Sequence, residues 1–180
     1  MKIEMVLFDL DGTLLPMDQD AFTKAYFKLL AARLAPRGYD PARLVDAIWK
    51  GTAAMVQNDG SRTNEEAFWR AFAGLLGEGV LADMPLFEAF YREDFQQAKA
   101  ACGYDPAAAQ AVALCTQLGC RVALATNPIF PAVATESRIR WAGLSPAQFE
   151  SYTTYENSRY CKPNLAYYRD ILAALGYQPA

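Results

Sequence analysis

The chain has 180 residues, with 17 lysines and arginines against 20 aspartates and glutamates, a formal net charge of -3 and a pI near 5.0. At 53% hydrophobic it is able to bury a sizeable core, and its scattered basic residues provide no field that would hold a nucleic acid backbone. Histidine is absent and Cys102, Cys115, Cys120 and Cys161 form no C-x-x-C pair, which excludes Ser-His-Asp and Cys-His machinery, zinc knuckles and dithiol redox motifs.

Residues 1–10 contain Lys2, Glu4 and Asp9 around a short apolar run, a pattern of neither a signal peptide nor a membrane span, so a cytoplasmic location without a membrane partner is expected. Met5 to Phe8 is continuously apolar, as in a strand buried on both faces of a parallel sheet. It runs into Asp9-Leu10-Asp11-Gly12-Thr13-Leu14. Side chains alternate along a strand, so Asp9 and Asp11 share a face and can address one reacting centre or metal ion. An acidic hairpin turn is the plainer reading of Asp-Gly alone, but the whole string behind an apolar strand favours a site.

From Asp18 to about Ala101 the pattern is helical with clear punctuation. Phe22, Tyr26, Leu29 and Leu30 form one face of a helix that ends at Pro36-Arg37-Gly38. Asp40-Pro41 supplies an N-cap and a first-turn proline ahead of Leu44, Ile48 and Met55, and Asn58-Asp59-Gly60 closes that helix. Thr63 and Glu66 make a capping box before Phe68, Trp69, Phe72, Leu75 and Leu76. A fourth helix carries Phe87, Phe90, Tyr91 and Phe95, and four short-linked helices predict a small bundle. After Gly103 the pattern alternates between helix and strand: helix Pro106 to Leu118, strand Arg121 to Thr126, helix Pro131 to Trp141, strand Tyr152 to Tyr155, and helix Asn164 to Leu175. The expected fold class is α/β, a doubly wound parallel, Rossmann-like core made of residues 1–16 and 104–180, with an α-helical cap inserted at 17–103.

Asp9 to Leu14, Leu124-Ala125-Thr126-Asn127 and Lys162-Pro163 fall in this order at the ends of successive strands. Together they resemble the haloacid dehalogenase superfamily of phosphohydrolases, and the long helical insertion resembles its type-1 cap. The segment Thr126-Asn127-Pro128, followed by a helix ending in Arg140-Trp141-Ala142-Gly143, is similar to that family too. The resemblance implies a phosphatase acting on a small phosphorylated metabolite through an aspartyl-phosphate intermediate. It makes Asp9 the nucleophile and Asp11 the general acid and base, with Lys162 as the charge against the phosphoryl group. Thr126 and Asn127, with Lys162, would bind phosphate oxygens, and magnesium would be held by the Asp9 carboxylate and the Asp11 backbone carbonyl. The chemistry is coherent: phosphate esters hydrolyse slowly, a carboxylate nucleophile splits one hard step into two, and a hard cation lets two carboxylates share a site with a phosphate. Members that cleave carbon-halogen bonds lack an acid at the position of Asp11, so its presence favours phosphoryl transfer.

Two features qualify this expectation. The family places a further acidic motif on a strand after the helix that follows the lysine, whereas the last acid here, Asp170, lies within that helix. A C-terminally incomplete version of a longer protein, lacking two strands, is therefore expected. A catalytically inactive binding module of the same fold, or a haloacid- or phosphonate-cleaving enzyme, are the alternative readings. Among polar cap residues, Lys50, Asn58, Arg62 and Arg92 are candidates to contact a leaving group, with solvated surface the plainer reading of each.

Overall fold

A computed structural model describes residues 3–177 of the protein. Residues 1–2 and 178–180, the outer ends of the expected core segments, lie outside the described residues. In chain order the elements are β1 (Met5–Phe8), α1 (Gln19–Leu34), α2 (Pro41–Val56), α3 (Asn64–Leu76), α4 (Met84–Arg92), α5 (Pro106–Gln117), β2 (Arg121–Leu124), α6 (Ala132–Trp141) and α7 (Leu165–Ala174). Local signals set most of these boundaries. The Asp18 side chain caps α1 through Ala21 N, Asp40 caps α2 through Arg43 N, and Thr63 with Glu66 forms the reciprocal capping box of α3. Among the described residues, no helix is long and apolar enough to cross a membrane.

β1 and β2 pair in parallel, Met5 opposite Arg121 and Phe8 opposite Leu124. Parallel neighbours need a long crossover, and here it contains α1 to α5. The expectation that Met5–Phe8 is buried on both faces is corrected: all four residues are half-buried, because among the described residues β1 has β2 as its only strand partner. The expected strand at Tyr152–Tyr155 is reduced to one bridge, Tyr152 to Leu124. Glu150 N donates to Val122 O at 2.9 Å and Thr153 N to Leu124 O at 3.1 Å, so the segment does follow β2. It stops there because the next donor facing β2, Tyr155 N, turns to Phe130 O at 3.0 Å, while Thr126 O accepts the Thr153 and Tyr167 hydroxyls instead. The fourth helix is also interrupted. It ends at Arg92, and Phe95 belongs to a following 3-10 segment, Asp94–Ala101, whose Gln96 side chain donates to the freed Tyr91 carbonyl at 3.1 Å.

One apolar core runs from the helical segment into the α/β part. Phe22, Leu30, Phe72, Phe90 and Phe95 belong to it together with Val122, Leu124, Ile139 and Trp141. Phe95 stacks on Trp141 with ring centroids 5.1 Å apart, joining the two parts. Burying one such side chain contributes roughly 1.5–3 kcal/mol. The chain leaves and re-enters the α/β part at one place, where Met17 bridges Cys102 in antiparallel sense and Gly103 N donates to Pro16 O at 2.7 Å. The crossing is close: a Cβ on residue 103 would lie 3.1 Å from the Pro16 Cβ, which would have to give by a few tenths of an ångström. A second tie holds the start of α3. Asn64, fully buried, donates to Pro128 O at 3.1 Å, and Glu65 N donates to Tyr155 O at 2.9 Å.

Candidate active site

The first strand ends one residue before Asp9. Leu10 then turns into the core while Asp9 and Asp11 face a common cavity, as period-two alternation requires. Gly12 makes the turn possible with φ +79°, and Leu15 N closes it on Leu10 O at 2.9 Å. Across the sheet, Ala125 N donates to Phe8 O at 2.7 Å, carrying the pairing one residue past β2 and setting Thr126 and Asn127 beside the strand-end aspartates. The Thr126 carbonyl is fixed from behind by the Thr153 and Tyr167 hydroxyls, each at 2.7 Å.

Asp9 is held at both oxygens. Lys162 Nζ donates to Oδ1 at 2.6 Å, and the Thr13 hydroxyl donates to Oδ2 at 2.9 Å. Lys162 is itself placed by Asn127, whose Oδ1 accepts the Lys162 backbone N–H at 3.1 Å. The structure thus brings all five residues singled out in the sequence, Asp9, Asp11, Thr126, Asn127 and Lys162, to one cavity of about 1170 Å³ between the helical segment and the strand ends. Of the four polar cap candidates, only Arg92 lines it, paired with Glu88. Lys50 pairs instead with Asp46 at 2.8 Å on an exposed helix face, Asn58 is spent on the Arg62 carbonyl and the Asn64 side chain, and Arg62 lies away from the cavity.

Sequence reasoning missed Arg138. It lies on α6 with its side chain 1% exposed, donates to Asp11 Oδ2 through Nη1, and stacks its guanidinium 4.4 Å from the Phe130 ring centre. Its Nε and Nη2 donate to Ala134 O and Thr135 Oγ1, both at 3.3 Å. A buried guanidinium requires a carboxylate partner, and Asp11 is that partner. The other Asp11 oxygen, Oδ1, is buried with no hydrogen-bond partner. The only available signal was indirect: Arg138 sits among Ala134, Ile139, Trp141 and Ala142, where an unpaired charge would be costly.

Among the described residues, no group of three or more carboxylates and thiols gathers as a metal cage. The donor set at the strand end, the Asp9 carboxylate and the Asp11 carbonyl, still fits magnesium of the kind that is completed by substrate phosphate and water. The unpartnered Asp11 Oδ1 is an acceptor in the same place, available to a protonated oxygen or to a water on such an ion. Elsewhere the wall is aromatic: the Tyr26 hydroxyl meets that of Tyr91 at 2.9 Å, and burial pushes the Tyr26 phenol up to about 12.

A family model described as haloacid dehalogenase-like hydrolase matches residues 3–180. Solved structures share the fold at low sequence identity. The L-2-haloacid dehalogenase of Xanthobacter autotrophicus is 20% identical with a TM-score of 0.51, the match covering 99% of this chain and 67% of that one. The same enzyme with chloropropionic acid covalently bound gives 19% identity and a TM-score of 0.50, with coverage of 99% and 67%. A HAD family enzyme of Bacteroides thetaiotaomicron is 15% identical with a TM-score of 0.54, over 99% of this chain and 81% of that one. No curated protein matches the chain in sequence.

Proposed function

Because the chain belongs to the haloacid dehalogenase-like hydrolase family, we propose that it is a magnesium-dependent phosphohydrolase acting on a small phosphorylated metabolite through an aspartyl-phosphate intermediate. The observation that carries this reading is the second carboxylate. Asp11 stands two residues beyond Asp9 on the same cavity wall, with one oxygen held by Arg138 and the other unpartnered. A halide leaves without a proton, whereas an alkoxide needs one, so an acid in this place has work in phosphoester cleavage and none in carbon-halogen cleavage.

In this reading Asp11, the carboxylate partner of Arg138, takes up a proton on its free Oδ1 when the phosphate ester binds beside it; an Asp9 carboxylate oxygen attacks phosphorus, the bond from phosphorus to the ester oxygen breaks, and Asp11 passes that proton to the departing alkoxide. Asp11 then takes a proton from water, which attacks the acyl phosphate and releases inorganic phosphate, restoring both carboxyls. Lys162 aims the Asp9 carboxylate, and its ammonium offsets charge on the phosphoryl oxygens. Thr126 and Asn127 offer a hydroxyl and a backbone N–H to those oxygens. Asp9 and Asp11 would hold magnesium, which supplies charge neutralisation between carboxylate and phosphate. Phosphate release from p-nitrophenyl phosphate and a panel of phosphorylated metabolites, with magnesium or with chelator, tests this. Asp9→Asn is expected to lower the rate by at least about a thousandfold. Full activity in that variant, or halide release from 2-chloropropionate without phosphate release from any ester, overturns the reading.

A further inference from the structure

The cavity extends well beyond the space a phosphate needs, and its character changes away from the strand ends. About 1170 Å³ is room for a drug-sized molecule. The cap side is walled by rings, among them Phe27, Trp49, Phe68, Trp69, Phe87 and Tyr91. Trp49, packed on Phe27 with ring centroids 5.5 Å apart, remains 54% exposed at the mouth.

The charges on this wall are unequal. Seven carboxylates and three cationic side chains line the cavity, and each cation is already taken: Lys162 by Asp9, Arg138 by Asp11 and Arg92 by Glu88. Glu136 is paired with Arg140, and Glu156 accepts the Ala132 N–H at the start of α6. Glu65 is different. It is half-buried, and burial together with the neighbouring Glu156 and Glu66 charges pushes its carboxyl above the ordinary value, with no cation or donor counteracting them among the described residues. One helical turn on, Trp69 occupies the same face of α3. Trp69 is 8% exposed and lines the cavity, with its indole edge beside the Tyr155 hydroxyl. A desolvated carboxylate left uncompensated is costly, and a ligand that brings a cation removes that cost.

We propose that the cap side of this cavity selects a leaving alcohol with an ammonium group on an aromatic or bulky apolar body, with the Glu65 carboxylate as counter-ion. Ring faces attract organic cations, and Trp is the strongest of them. Leaving groups that carry a carboxylate or a second phosphate meet the surplus of negative charge and are rejected. The inference rests on the phosphohydrolase reading for the phosphate end of the substrate only.

Three phenols with one ring and different charges test the selection without requiring catalysis. Binding of tyramine, para-propylphenol and para-hydroxyphenylpropanoate to the full chain is measured by calorimetry at neutral pH, beside hydrolysis of their phosphate esters and of p-nitrophenyl phosphate. Tyramine is expected to bind about tenfold more tightly than the neutral phenol, and the propanoate more weakly than either. In Glu65→Gln, folded by circular dichroism, the advantage of tyramine falls to within about twofold. Equal binding of the three phenols, absence of binding by all three, a preference for the propanoate, or an unchanged tyramine advantage in Glu65→Gln overturns the proposal. If the binding order holds while no phosphate ester is cleaved, the selection stands and the phosphohydrolase reading is what fails.

Discussion

Replacing Arg138 by methionine removes the guanidinium, and with it the charge pair with Asp11, while keeping much of the side-chain volume. Arg138 is 1% exposed and the Asp11 side chain 21%, so water reaches the abandoned carboxylate poorly. Removing one partner of a buried pair costs about 3–5 kcal/mol, mainly because the survivor stays charged in a poor solvent. The stacking on Phe130 and the bonds to Ala134 O and Thr135 Oγ1 go as well. For a chain of this size a loss of 3–5 kcal/mol lowers the melting temperature by about 6–20 °C. The double variant Arg138→Met/Asp11→Leu removes both charges and should recover most of that loss, since apolar replacement of a whole buried pair is often neutral. Urea and thermal unfolding of wild type, both single variants and the double variant complete the cycle, and a coupling energy above about 2 kcal/mol is expected. A melting shift below about 2 °C in Arg138→Met, or a double variant no more stable than the single one, would refute the assignment of Arg138 as the counter-charge of Asp11.

Further outcomes follow from individual contacts. Asn64→Ala leaves the Pro128 carbonyl and the Asn58 amide without their buried partner, and a loss of about 2–4 kcal/mol in urea denaturation is expected; a loss below about 0.5 kcal/mol counts against this tie between α3 and the core. Gly60 and Gly38 both have positive φ, +86° and +87°, but a Cβ at residue 60 would lie 2.1 Å from the Tyr160 hydroxyl whereas that at residue 38 meets nothing. Gly38→Ala should therefore cost about 1 kcal/mol and Gly60→Ala about 2–4 kcal/mol, and equal costs would dismiss the contact. The raised carboxyl of Glu65 favours its neutral form in the folded state. That contribution is present below the ordinary carboxyl range and is lost as pH rises through the raised value, so Glu65→Gln should raise the melting temperature at pH 7 and leave it unchanged near pH 3. A variant less stable than wild type at pH 7 would contradict that sign.

Much of the site was legible because its parts are local. Asp9 and Asp11 share a face by strand alternation, and the boundaries of α1, α2 and α3 follow from Asp18, Asp40 and the Thr63 and Glu66 box, whereas Thr126 and Lys162 are singled out only by the family resemblance. The readings that failed depended on competition between partners. Tyr152–Tyr155 has the composition of a strand, yet Tyr155 N leaves the ladder for the Phe130 carbonyl, a partner supplied by a distant loop. Phe95 continues the helical spacing of Phe87 and Tyr91, but the backbone tightens after Arg92 to stack that ring on Trp141.

By itself, then, the sequence determined the kinds of chemistry open to this protein. With no histidine and a carboxylate pair sharing one face at a strand end, acid and base work is left to carboxylates, a restriction set by residue types and by an alternation that acts within a few residues. Only the tertiary structure decided which charges are neutralised and which are left facing a cavity. Arg138 meets Asp11 across 127 residues of chain, and Glu65 meets no cation at all among the described residues. The difference is physical: alternation and capping are set by neighbouring backbone, whereas the state of a buried charge depends on whatever the fold packs against it.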